Sequence, residues 1–145
     1  MSSSTPARLT RIDPVPLDVG AHLDAVRSTA AGAGATFVGQ GRDHDPGVAG
    51  EVTALEYSAH PDAQEILRRI ADSCASRPGV LGVAVSHRIG LLAVGDLAIV
   101  AAVATAHRSL AFEVCSALVE QVKAELPIWK REVLADCSHV WVGSQ

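Results

Sequence analysis

The sequence predicts an α+β fold, on three observations. Leu97 to Ala104 is an unbroken apolar run that reads as a buried strand and feeds into a long helix from about His107 to Glu125. Residues 80 to 88 alternate, with Leu81, Val83 and Val85 on one side, the pattern of a half-buried strand. The remaining strands and the two principal helices follow no regular β-α repeat and no internal repeat, which points to a mixed or antiparallel sheet.

Taken in order, Met1 to Thr5 and Pro6 have no apolar core and read as a flexible tail. Arg8 to Ile12 is a possible edge strand, stopped by Pro14 and Pro16. The division expected is a tail with that strand over 1–13 and a single domain over 14–145. Leu17 to Ser28 reads as a short helix with Leu17, Ala21 and Ala25 at fourfold spacing, broken by Ala31-Gly32-Ala33-Gly34. Ala35 to Val38 is a strand, followed by a polar loop from Gly39 to Gly47. Val52 to Tyr57 is the next strand. Pro61 fits the first turn of a helix, where its missing N–H costs nothing, and Ala63, Ile66, Leu67, Ile70, Ala71 and Cys74 give that helix one apolar face. Pro78-Gly79 ends it, Val94-Gly95-Asp96 turns the chain into the Leu97 strand, and Pro127 ends the long helix. Trp129 to Leu134 and Val140 to Val142 are the last strands.

Composition narrows the function classes. At 145 residues the chain is long enough for a real core, and with 48% hydrophobic but only 3% aromatic residues that core is built from Ala, Val, Leu and Ile. A net charge of −4 argues against a nucleic-acid binder, which needs a basic face. No apolar run reaches the length of a membrane span, and cytoplasm is the simplest compartment. Cys74, Cys115 and Cys137 are widely spaced without a C-x-x-C, so neither a zinc site nor a disulfide framework is expected; Cys74 and Cys115 read as small buried residues.

The chemistry concentrates between Thr105 and Glu132. Both lysines of the chain, Lys123 and Lys130, are there, while the other ten basic residues are arginines. An amine can lose its proton when desolvated, and a guanidinium effectively cannot. Two readings stand: a chance pairing on a solvated face, or a pocket that needs amines. Lys123 flanks the apolar stripe of its helix, so its stem can pack while its amine reaches a cleft. Gathered cations would lower a lysine's pKa and favour a neutral amine able to act as base or nucleophile. His107-Arg108 falls where strand becomes helix, beside unpaired N–H groups. That is a site for phosphate or carboxylate, unless Arg108 faces water and His107 packs locally. Ser109 could cap that helix. Gly39-Gln40-Gly41-Arg42 lacks the third glycine and the Gly-Lys-Ser/Thr of nucleotide loops, but it could let backbone approach a ligand with Arg42 as anion contact. Asp43-His44-Asp45 lacks the partners of a metal site, and no metal is expected. Arg108 and Lys123 are fifteen residues apart, roughly 22 Å along a helix, too far to line one pocket of one chain. If both function, a two-fold dimer that brings one subunit's helix start to the other's helix end is the simplest arrangement.

In order and spacing, G-x-G-R-D-H-D, S-H-R-I-G, V-G-D, A-H-R-S-x-A-F-E and V-K-x-x-x-P-I-W-K-R-E resemble the large, catalytic subunit of molybdopterin synthase, the MoaE family, from about Gly32 to Val142. The resemblance implies an α/β-hammerhead fold, a homodimeric core and a ubiquitin-like small subunit at each end, giving a heterotetramer. The partner's C-terminal Gly-Gly thiocarboxylate would supply sulfur, with no other cofactor, for two transfers to cyclic pyranopterin monophosphate, making molybdopterin. By the same resemblance Lys123 and Lys130 are the catalytic lysines. Arg42, His107 and Arg108 hold phosphate and pterin, and Gln40, Gly41, Arg131 and Glu132 line the pocket. The chain departs from the family at Ile128, where many members have Phe. It also departs after Trp141-Val142, where Gly143-Ser144-Gln145 stands in place of a tail arginine, so one anion contact is expected to be absent or replaced. Two further readings are a non-catalytic adaptor for a ubiquitin-like tail, which would need the groove but not both lysines, and an anion-sensing protein, which would need no protein partner.

Overall fold

The computed structural model describes residues 6–43 and 50–142. The tail expected at 1–5, the part of the polar loop at 44–49 that includes His44 and Asp45, and the terminal Gly143-Ser144-Gln145 lie outside the described residues. The elements run β1 (Leu9–Asp13), α1 (Val19–Ala25), β2 (Ala33–Gln40), β3 (Val52–Ala59), α2 (Ala63–Ala75), β4 (Val80–Arg88), β5 (Gly90–Ala93), β6 (Leu97–Thr105), α3 (Arg108–Glu125), β7 (Ile128–Leu134) and β8 (His139–Val142). This is the expected α+β class, with α2 and α3 the principal helices.

The strands form two four-stranded sheets. The first has the order β1-β4-β6-β2, with β1 parallel to β4 and the other pairs antiparallel. The second has the order β5-β3-β7-β8 and is antiparallel throughout. In the first sheet β4 and β6 are central. Because side chains alternate across a strand, Val83, Val85, Ala101 and Val103 face α2 and α3, where they meet Leu67, Ile70, Leu118 and Val119. Ala84, Ala102 and Ala104 face the other way and pack around Val26, just past α1.

That second layer corrects the half-buried reading of 80–88. Its alternation is real, but both faces are covered, and Val83, Ala84 and Val85 are all fully buried. Gly82 is part of the reason: a Cβ there would meet Val26 backbone and side-chain atoms at 3.0 Å, so its absence lets the 19–26 segment close on the strand.

Helix α1 is shorter than the 17–28 expected, and a different face is buried. The Asp18 side chain accepts from the Ala21 N–H at 3.2 Å and fixes the start at Val19. His22, rather than Ala21, is the buried residue. Its Nδ1–H donates to the Asp18 carbonyl at 2.7 Å, which leaves Nε2 to accept from the Ser86 hydroxyl of β4, also at 2.7 Å. A polar pair, invisible to a count of apolar spacing, therefore docks this helix. Pro61 lies two residues before α2, ahead of the N-cap Asp62, and not in the first turn. Strand β5 was not expected. It has four residues, and only Leu92 is fully buried, too little for a periodic signal. Cys74 and Cys115 are buried as expected, and no helix among the described residues is long and apolar enough to cross a membrane.

Leu118 is fully buried where α3 meets both α2 and the first sheet. Leu118→Ala is expected to lower stability by about 2–5 kcal/mol through lost transfer energy and the cavity left behind. Urea unfolding measures this, and a loss well below that range would mean the helix layer is less tightly packed than described.

Candidate active site

The two lysines approach each other because of how α3 ends. Lys123 lies in its last turn, beside the buried stripe Leu118, Val119 and Val122. Leu126 then takes an extended conformation (φ −71°, ψ 124°), as a residue before proline must, while its N–H still bonds the Val122 carbonyl at 2.9 Å. Leu126 and Ile128 are both buried, so the reversal around Pro127 is anchored on both sides. The chain returns as β7, and Lys130 falls opposite Tyr57 of β3.

Lys123 and Lys130 line one open pocket of about 550 Å³. Gln40 and Arg42 enter it from the end of β2, Tyr57 from β3 and His87 from β4, over an apolar floor that includes Phe37, Ile99 and Ile128. Three cations therefore face one cavity. The two neutral polar groups among them are held neutral. His87 is pushed down to about 4, first by burial and further by the Lys123 ammonium, against the opposing effect of its hydrogen bond to the Arg88 carbonyl. Because a carbonyl only accepts, that 2.8 Å bond assigns the proton to Nδ1 and leaves Nε2 an acceptor. Tyr57 is pushed up to about 12 by burial and then by the Glu132 charge. The two rings meet edge to face at 5.0 Å.

The other expected site residues lie elsewhere. Gly41 is buried between Gln40 and Arg42; a Cβ there would fall 2.2 Å from Leu55 Cδ1, so it shapes the segment without forming the wall. Arg131 alternates to the opposite face of β7, paired with Glu56 and lying 5.6 Å from the Trp141 ring centroid. Glu132 is 2% exposed beneath the pocket, near Tyr57. His107 and Arg108 are at the far end of α3, in a separate cleft of about 390 Å³ with Ser109 and Gly32. His107 is the helix N-cap, and its side chain makes no capping bond. Within one chain the two ends of α3 form two sites, as the helix length required. Tyr57 and His87 were missed by reasoning from residue type. His87 stands in the Ser-His-Arg-Ile-Gly motif, but nothing local says that its ring faces the lysines.

A pocket of two amines, one guanidinium and an amide, at the junction of two sheets, is of the class that can hold a small anionic ligand beside amine side chains. A family model described as MoaE protein matches residues 12–125. The molybdopterin synthase catalytic subunit of Thermoplasma volcanium is 37% identical over 95% of this chain and 98% of its own length. The catalytic subunit 1 of Mycobacterium tuberculosis is 37% identical over 93% and 90%. Among solved structures, molybdopterin synthase from Staphylococcus aureus superposes with a TM-score of 0.82 at 30% identity, covering 91% of this chain and 95% of that one. A complex of subunits 1 and 2 of molybdopterin-converting factor from Helicobacter pylori shares the fold, with a TM-score of 0.75 at 18% identity over 94% and 91% of the two chains. The chain belongs to the MoaE family.

The neutral His87 has a consequence for stability. In the unfolded chain it takes up a proton near its ordinary value of 6.5, whereas in the folded protein it does so only near 4. The unfolded state thus binds more protons between those values, and His87 favours folding fully above about 6.5 and progressively less as pH falls toward 4. The contribution lost is roughly 3 kcal/mol at 1.4 kcal/mol per pH unit. Urea unfolding at pH 7 and pH 4.5 should show wild type losing more stability than His87→Gln by about that amount; equal losses would contradict the buried neutral ring.

Proposed function

We propose that this protein is the catalytic subunit of a molybdopterin synthase, a sulfurtransferase that moves two sulfurs from a thiocarboxylated small subunit to cyclic pyranopterin monophosphate. The observation that carries the reading is the convergence of Lys123 and Lys130, from different elements, on the pocket that also holds Arg42. Such a pocket attracts a carboxylate or thiocarboxylate terminus and a phosphate alike. Either amine is placed to meet the reacting carbonyl, and the apolar floor limits water around it. Lys123 and Lys130 are the catalytic residues in this reading. Arg42 and Gln40 contact the substrate, Gly41 and Glu132 shape the strand ends around them, and Arg131 sets the rim through Glu56 and Trp141.

The partner is a ubiquitin-like small subunit whose C-terminal tail enters the pocket; that the Helicobacter pylori neighbour is a complex of subunits 1 and 2 supports a partner subunit. Two MoaE-type chains pair so that His107 and Arg108 of one reach the lysine pocket of the other, completing the phosphate and pterin contacts; with a small subunit on each the assembly is a heterotetramer. Sulfur comes from the partner, and no further cofactor is needed. The cytoplasm is its compartment.

Incubation with thiocarboxylated small subunit and cyclic pyranopterin monophosphate, followed by mass spectrometry, tests the reaction. Lys123→Ala and Lys130→Ala are each expected to lower product formation by about 10²–10⁴-fold while small-subunit binding persists. Undiminished product in both variants would remove the lysines from the chemistry, and small-subunit binding without product from the wild type would point to an adaptor instead. Mixing Arg108→Ala with Lys123→Ala protein should restore part of the activity, since one of the two sites in each mixed dimer then has both wild-type residues and the other lacks both; no recovery after confirmed subunit exchange would rule out the shared site.

A further inference from the structure

Arg42 sits beyond the last paired residue of β2, so something other than the sheet must place it. The β2·β6 register shifts between Gly39 and Gln40, and regular pairing ends at Gln40 with Leu97. Past that point the chain is caught by the turn between β5 and β6. The Gly41 N–H donates to the Asp96 carbonyl at 3.3 Å, and the Gly95 N–H donates to the Gly41 carbonyl at 3.0 Å. On its other side Gly41 is pressed against Leu55, with no room for a Cβ.

The turn is itself braced. The Asp96 N–H donates to the Ala93 carbonyl at 3.0 Å, and Asp96 Oδ2 accepts from the Ala93 N–H at 3.0 Å. The same carboxylate oxygen takes Arg88 Nη1 at 3.4 Å. Arg88 is well covered, its side chain 16% exposed, and its Nε–H donates to the Pro14 carbonyl at 3.2 Å. One guanidinium thus ties the end of β4 and the chain after β1 to the turn that carries Gly41. Its fork geometry suits two fixed acceptors in a way that a lysine ammonium does not.

We propose that Arg88 and Asp96 are positioning residues for Arg42, holding the 94–96 turn against the Gly41 backbone and so fixing where the Arg42 guanidinium meets the anionic part of the substrate. The proposal rests on the reading of the pocket given above. Neither residue lines the pocket; both act through the turn.

Asp96→Asn keeps an oxygen for the Ala93 N–H but removes the charge that Arg88 holds, and Arg88→Met removes the brace from the other side. Either is expected to raise KM for cyclic pyranopterin monophosphate about tenfold with kcat within about twofold, the pattern of lost binding rather than lost chemistry. In an Arg42→Ala background the same substitution should add less than about twofold, because the brace then has nothing to position. Full additivity with Arg42→Ala, or a fall in kcat at unchanged KM, overturns the proposal. Amide hydrogen exchange of Gly41 and Gly95 supplies a readout that needs no substrate. Both are expected to exchange faster in Asp96→Asn, while the Val100 amide in β6 is unchanged. Unaltered exchange at Gly41 refutes the brace even if the pocket proves to have another activity, whereas faster exchange in a protein that makes no product keeps the brace and removes the sulfurtransferase reading.

Discussion

The geometry of the site depends on the reversal at Leu126-Pro127. A helix cannot continue through proline, which offers no N–H and forces the preceding residue out of helical conformation. Here the consequence is directed by burial. Leu126 and Ile128 are both in the core, so the chain between them has no freedom to swing outward. The last turn of α3 and the first residues of β7 are thereby fixed at an angle that aims Lys123 and Lys130 into one cavity. A looser connection would leave two amines on the surface with little influence on each other.

Once the amines are together, the polarity of their surroundings follows from what can be buried among cations. An imidazole buried there resists protonation, and a phenol that is buried, and further lies near the Glu132 charge, resists ionisation. His87 and Tyr57 therefore contribute hydrogen-bonding edges without adding charge, and the cavity keeps an excess of positive potential for an anionic ligand. Of the carboxylates around the site, Glu132 lies buried near Tyr57, Glu56 neutralises Arg131 on the outer face, and Asp96 engages Arg88 behind the turn.

The length of α3 imposes the second constraint. A straight helix of 18 residues cannot bring its two ends to one ligand. His107 and Arg108 at one end and Lys123 at the other stay in separate clefts within the chain. An enzyme that uses both groups on one substrate has to borrow one of them from a neighbour. The proposed pairing of two chains thus follows from helix geometry as much as from family membership.

The sequence by itself determined the α+β class, the two principal helices, the buried strand before α3 and the stop at Pro127, because periodicity and proline act locally. It also singled out Lys123, Lys130, Arg42 and the His107-Arg108 pair, because unusual residue choice and motif order are visible without coordinates. Only the tertiary structure decided that 80–88 is covered on both faces, that His22 docks α1 through Ser86, that Arg131 turns away from the pocket, and that His87 and Tyr57 share the pocket with the lysines. Each of these depends on which element packs against which, and that is settled by side chains far apart along the chain competing for the same buried space, a competition that no local pattern records.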